Sequence, residues 1–273
     1  MKTPFTTLFA TAWCLAGSIA FGQGNHKSRV EVAFSNPSRN GLLKVELISV
    51  DGVSISGYEG KTVIVEGSRN EEKPATGEER GPEAKGARET GILLHEESNI
   101  VTLKTTSLEN LSIRVPRNTS LQLSSTRNGN IRVENVDGEI EASGEDGSIM
   151  IRGGSGPLLA SVHNGKISAS FDSLPATKLI SLRNLDGTIE LILPPDARAD
   201  VILESPEGRV NTDFEIKRNQ NNVPKSESKI VGTINGGGAE VQLATHDGRI
   251  KLLTNKTATP IQPNGPTTAP KLK

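Results

Sequence analysis

Cysteine is nearly missing from this 273-residue chain: the single one is Cys14. With it inside an N-terminal apolar run, the rest of the chain can hold neither a disulfide nor a thiolate metal site. Aromatics are as scarce, at 3 % of residues, and half of them (Phe5, Phe9, Trp13 and Phe21) fall in that same run. Only Phe34, Tyr58, Phe171 and Phe214 lie beyond it, too few for the stacking platforms that bind sugars or single-stranded nucleic acid. Charge of one sign is also lacking, with 31 Lys and Arg against 32 Asp and Glu. That balance removes the electrostatic case for nucleic acid as a partner. After residue 22 no hydrophobic stretch is long enough to span a bilayer, so no transmembrane segment is expected once the leader is removed.

The leader occupies residues 1–22: Lys2 supplies the positive start, Phe5 to Phe21 the apolar run, and Ala20-Phe21-Gly22 the small residues that a signal peptidase recognises. Cleavage is expected at Gly22/Gln23, giving a secreted or periplasmic product. Trp13 stands where a lipoprotein signal needs a small residue before Cys14, which argues against lipidation.

What the chain has in quantity is one phrase: an acidic or amide residue, glycine, a variable residue, an aliphatic. It occurs at Asn128-Gly129, Asp137-Gly138, Asp146-Gly147, Asn164-Gly165, Asp186-Gly187 and Glu207-Gly208, with outlying copies at Asp51-Gly52 and Asp247-Gly248. These eight glycines are the candidate structural turn residues, because Asn-Gly and Asp-Gly enter positive φ at little cost. Their spacing implies a unit of roughly 20 residues, the repeat length of solenoids. Between them, aliphatics alternate with polar residues, as in Ile131/Val133, Ile140/Ala142, Ile149/Ile151 and Ile167/Ala169, which is the period of strands with one buried face. The expectation is an all-β fold, a single-domain parallel β-solenoid over residues 28–256. Such a fold tolerates the low hydrophobic content of 34 %, since each unit fills only a thin inner row.

Two segments interrupt or end that domain. Residues 68–91 hold no apolar side chain larger than alanine and read as a mobile insertion; residues 257–273, rich in Pro and Thr, read as a disordered tail. A composite unit appears twice: Ile113 to Pro116, then Leu121 to Leu123 and Gly129, echoed by Leu191 to Pro194, then Val201 to Leu203 and Gly208. Proline ends the first strand in both copies because it cannot donate to a ladder. Arg29 to Phe34 and the last strand, Arg249 to Leu253, are expected to cap the two ends. An antiparallel meander is the rival arrangement, as nine-residue turn spacing also suits hairpins.

The order of Asp51-Gly52, Ile113 to Pro116, the Gly-x-Ile turns, Leu193-Pro194 and Glu207 to Val210 resembles the bacterial putative adhesin domain family, a domain of unknown function. The resemblance spans Val30 to Leu253 apart from the insertion. It implies a β-solenoid fold and brings no catalytic residues.

A search for chemistry finds little. The histidines His26, His95, His163 and His246 show no metal-binding spacing, and Gly153-Gly154-Ser155-Gly156 lacks the aspartate of a calcium-binding repeat, so no metal and no cofactor are expected. Aligning the residue after each turn glycine gives a column of Asn130, Ser148, Lys166, Thr188, Arg209 and Arg249. Two residues further on come Arg132, Met150, Ser168, Glu190, Asn211 and Lys251. Neither column stacks the paired carboxylates of glycoside cleavage. Glu139 and Glu141 are neighbours on another face, where a solvated acidic pair is the commoner meaning. The expected function is therefore a non-catalytic binding or structural module of the cell envelope, acting on an unknown envelope or extracellular surface ligand. The alternative is a polysaccharide-acting lyase or hydrolase on the same scaffold, which would need two acids and a base converging in a groove.

Overall fold

Short runs of β-branched and aliphatic residues bounded by glycine leave the chain little choice but extended structure. The computed structural model describes residues 27–48, 52–68, 92–106, 110–126, 129–218 and 228–255, and among these every regular element is a strand. In chain order they are β1 (Lys27–Ala33), β2 (Leu42–Ile48), β3 (Gly52–Tyr58), β4 (Thr62–Ser68), β5 (Ile92–Glu97), β6 (Ile100–Thr106), β7 (Asn110–Pro116), β8 (Ser120–Ser125) and β9 (Asn130–Glu134). Three long strands follow, β10 (Ile140–Arg152), β11 (Leu158–Ser170) and β12 (Leu179–Leu193). The rest are β13 (Ala199–Glu204), β14 (Arg209–Thr212), β15 (Lys217–Arg218), β16 (Lys229–Ile234) and the long β17 (Ala239–Thr254). All 17 belong to one hydrogen-bonded sheet. The expected leader, insertion and tail lie outside the described residues, apart from Ser68 at the end of β4.

Each long strand has two arms joined at an Asp-Gly or Asn-Gly corner, and shorter strands pair with one arm or the other. Along the first arm the order is β5, β6, β2, β8, β10, β11, β12, β17, β13, β16, β15. Along the second it is β1, β4, β7, β3, β9, β10, β11, β12, β17, β14. The middle pairings are parallel; antiparallel pairing is confined to β1–β4, β4–β7 and β5–β6 at one end and to β13–β16 and β15–β16 at the other.

Register follows the glycine phrase where consecutive strands are neighbours. Gly147 lies beside Gly165, and Gly165 beside Gly187, so the parallel offsets of β10–β11 and β11–β12 equal the intervals between those glycines. The next interval does not mark neighbours. Gly187 lies beside Gly248, because β17 enters between β12 and the β13–β14 pair. The expected cap, the last strand, is thus an interior one. The same device recurs near the other end, where β2 and β3 lie between β6–β7 and β8–β9.

These two insertions account for the composite unit used twice. After Pro116 and after Pro194 the chain passes over one strand position, roughly 9.6 Å instead of 4.8 Å, and a segment from far away in sequence fills the slot. At the first slot Ser120 donates its amide to Gly41 O (2.9 Å) and Arg117 to Tyr58 O (3.3 Å). At the second, Ala239 donates to Arg198 O (3.0 Å) and Asn255 to Leu193 O (2.8 Å).

Inward side chains from both arms form one core cluster, in which Ile131, Ile149, Ile167, Ile189 and Ile250 line up one strand apart on the second arm. Each is at most 2 % exposed, and burying one such aliphatic is worth about 1.5–3 kcal/mol. Close to the corner the inner row turns polar, and three of its donors reach corner carbonyls: Asn184 donates to Gly165 O (2.9 Å), Thr245 to Leu185 O (3.3 Å) and Ser205 to Gly248 O (3.3 Å). This matters because carbonyls at a bend in a buried row would otherwise lack partners.

Candidate functional site

The turn glycines divide by the reason glycine is needed. Gly147, Gly165 and Gly187 take φ of 108°, 142° and 138°, a region that L side chains avoid. Gly208 and Gly248 do not have such a φ, yet a Cβ at Gly248 would run into Gly187 O, and one at Gly208 into Gly248 O. There the neighbouring strand's backbone excludes a side chain. Gly138 is equally closed in, against Thr119 O, whereas Gly52 opens β3 with Asn130 O 3.1 Å from the notional Cβ. Gly129 is a buried residue just before β9. Positive φ on non-glycine residues occurs at Ser98, Asn99, Asn135 and Asn235, which make the bends on the other side of the molecule.

That other side is fastened by a polar chain built on Asp137, the first residue of one glycine phrase. Arg117 Nε donates to Asp137 Oδ2 (2.9 Å), and Asp137 Oδ1 accepts from Ser155 N (3.1 Å) and Oγ (3.0 Å). Burial pushes the Asp137 carboxyl up, but the bonds from Arg117 and Ser155 and the guanidinium charge outweigh it, and its pKa falls below the usual range. The bond and charge of Asp137 raise the Arg117 pKa in turn. One turn of chain further, Lys178 is only 3 % exposed. Its Nζ donates to Gly154 O (3.0 Å) and lies 3.9 Å from the Phe171 ring centre. Burial drives its pKa down to about 8, against a raising pull from Asp137. With so little exposure, Lys178 pins the Gly154 bend to the β11–β12 loop and meets no solute.

The outward face of the second arm is the surface with a pattern. Strand pairing puts Asn130, Ser148, Lys166, Thr188, Arg249 and Arg209 in one column, in that spatial order, and Arg132, Met150, Ser168, Glu190, Lys251 and Asn211 in the next. Both columns are the ones expected from the glycine phrase, with β17 now ahead of β14. Over β3, β9 and β10 the first column is uncharged (Gly52, Asn130, Ser148), and Ser148 donates to Asn130 Oδ1 (2.6 Å). Over β11, β12, β17 and β14 the two columns carry four cations and one acid. Glu190, with a side chain 18 % exposed, has one carboxylate oxygen 3.2 Å from Lys166 Nζ and 3.8 Å from Lys251 Nζ. Arg249 and Arg209 are exposed and make no ion pair among the described residues.

Elsewhere, a hollow of about 580 Å³ lies over Gly52, Ser54, Asn110, Ser112 and Asn130, with Glu66 and Arg132 as its charged lining. Glu66 is the one carboxylate among its described lining residues, and it is bound to Arg29 (2.9 Å). Glu141 accepts from Gln122 (3.3 Å) on the first arm. His163 and His246 stand exposed beside the corners, and His246 is 3.8 Å from Glu207. Among the described residues no group of three His, Cys, Asp or Glu converges as metal ligands would, and no helix is long and apolar enough to cross a membrane.

Laddered strands, a continuous aliphatic core and outward polar columns define an all-β protein whose ordered feature is its surface. A family model described as Toastrack DUF4097 matches residues 94–253, more than half of the chain, and the protein belongs to that family. No curated protein matches it. Among solved structures, a putative cell adhesion protein from Clostridium sporogenes is 13 % identical, covering 85 % of this chain and 100 % of that one, with a TM-score of 0.44. A putative adhesin from Bacteroides fragilis is 9 % identical over 85 % and 98 % of the two chains, with a TM-score of 0.30. One from Parabacteroides distasonis is 6 % identical over 83 % and 96 %, at 0.27.

Proposed function

We propose that this protein is an exported, non-catalytic β-solenoid with rungs of roughly 20 residues, serving as an adhesin-like binding or structural module of the bacterial cell envelope. The observation that carries the reading is the pair of outward columns held in register from β9 to β14: a regular array of polar side chains, fixed by backbone pairing, suits an extended ligand. Parallel offsets of 18 residues for β10–β11 and 22 for β11–β12 support the rung length. The sequence of residues 1–22 supports export, with Gln23 as the new N-terminus.

Two measurements test this. Mass spectrometry of the product from an expressing bacterium should give a chain beginning at Gln23 in the periplasmic or secreted fraction. A glycan array probed with that product should show binding to extended envelope or extracellular glycans and no change in their length. An uncleaved cytoplasmic product would sink the envelope reading, and shortened glycans would favour the polysaccharide-acting enzyme.

A further inference from the structure

From the charge distribution along the second arm we infer that the cationic end of the outward ladder, at Lys166, Arg249, Arg209 and Lys251, binds a carboxylate-bearing polysaccharide laid across the strands. The inference rests on the proposed binding role and names its ligand class.

Three features of the face point there. First, the charge is local: the column is uncharged over β3, β9 and β10 and gains cations at Lys166, Arg249 and Arg209, in a protein whose net charge is −1. The inner residues that follow, Ile149, Ile167, Ile189 and Ile250, are alike as far as β17, with the smaller, half-buried Val210 ending the row beside Arg209, so the core over β11, β12 and β17 does not call for the change. Second, the cations are presented to solvent. Glu190 engages Lys166 and Lys251 through one oxygen and holds the two ammonium groups to either side, while both arginines are free of ion pairs among the described residues. Of the further acids, Asp186, Asp247 and Glu207 stand at the corner, two residues before Thr188, Arg249 and Arg209, with Glu207 3.8 Å from His246, and Asp213 accepts from the amide of Thr254 at 3.2 Å. Third, the spacing suits a linear polymer. Arg249 and Arg209 stand one interstrand distance apart, roughly 4.8 Å, and Lys166 two strand positions from Arg249, roughly 9.6 Å, steps comparable with one and two sugar units, and arginine can take a carboxylate with two parallel N–H bonds. Single-stranded nucleic acid is the less favoured occupant, because stacking bases need aromatic faces and neither column contains one.

The test uses the full chain and fluorescent polygalacturonate oligomers, with dextran of equal length as the neutral control and a thymidine oligonucleotide as the second polyanion, at 50 and 300 mM NaCl. The expected result is binding of polygalacturonate, weakened at the higher salt, with dextran unbound and the oligonucleotide weaker. Arg209→Gln with Arg249→Gln should reduce affinity about fivefold or more, as two exposed charge contacts are lost. Lys44→Gln with Lys104→Gln on the first arm should leave it within about twofold. Circular dichroism and thermal midpoints would establish that both variants stay folded. Equal losses in the two variants, or no polyuronate binding, would overturn the inference. So would tighter binding of the oligonucleotide. If polygalacturonate fails while neutral glycans are retained, the ligand class falls and the binding role stands; if no glycan is retained, both fall.

Discussion

Replacing Gly187 by alanine asks the corner to accept a side chain against two separate objections. The residue has φ of 138°, and its new Cβ would meet Gly165 O of the adjacent strand. Holding an L residue in a left-handed conformation costs about 1–2 kcal/mol, and forcing backbone apart in a packed row a further 1–3 kcal/mol. Gly187→Ala should therefore destabilise by about 2–5 kcal/mol. Gly248→Ala meets the second objection without the first, since its notional Cβ strikes Gly187 O but its φ is not left-handed, and should cost about 1–3 kcal/mol. Gly144→Ala meets neither: the nearest atoms, Asp146 O and Val162 Cγ2, are 3.9 Å away. That variant should be neutral or gain up to about 1 kcal/mol. Equilibrium urea unfolding followed by far-ultraviolet circular dichroism suits the series, because aromatic fluorescence is scant. A Gly248→Ala protein as stable as the parent would refute the collision argument, and equal losses at Gly187 and Gly248 would refute the φ contribution.

Lys178 should make stability rise with pH in the alkaline range. Its folded pKa of about 8 lies below the ordinary 10.5, so between those values the unfolded chain binds the extra proton and raising the pH favours the fold, by at most about 3 kcal/mol. Lys178→Met should remove that slope in urea midpoints measured from pH 7.5 to 10; an unchanged slope would assign it elsewhere. Asp137 works in the opposite range. Its lowered pKa gives stability that is present above the ordinary carboxylate value and lost as pH falls through the folded one, so Asp137→Asn should flatten the acid limb and cost about 1–3 kcal/mol at pH 7. Ending the chain after Gly238 removes β17 and with it the buried Val241, Leu243, Ile250 and Leu252. At about 1.5–3 kcal/mol each that loss rivals the whole stability of a domain, and the truncated chain should show no cooperative unfolding transition.

Much of this architecture could be read from the residues, and the part that could not has a physical cause. Alternation located the buried face, since Ile131 to Val133, Ile149 to Ile151 and Ile167 to Ala169 all point into the core. The interval from Gly147 to Gly187 gave the neighbour relations of β10, β11 and β12, because a corner that needs glycine recurs in register. The position of β17 was hidden. Nothing local distinguishes a loop that steps to the next strand position from one that steps over it, and Pro194 to Arg198 is no longer than an ordinary turn. The twice-used proline unit is the feature of the sequence that coincides with both steps. Lys178 was equally silent: a lysine near Pro175 in a polar loop looks solvated until Phe171 and Gly154 close over it. As for the candidate site, its two columns and the charges of the first were legible in composition, but the approach of Lys251 to Glu190 depends on β17 lying beside β12, which only the strand order supplies.

The interleaved strand order is tested most directly by paired cysteines in the Cys14→Ser chain. Ser181 and Gln242 are partners across β12 and β17, whereas Ser181 and Ile202 are separated by β17, at roughly twice the interstrand distance. Oxidation should link Ser181→Cys to Gln242→Cys within one molecule and leave Ser181→Cys with Ile202→Cys unlinked. The reverse pattern would mean that β12 and β13 are direct neighbours and that the terminal strand does not occupy the slot between them.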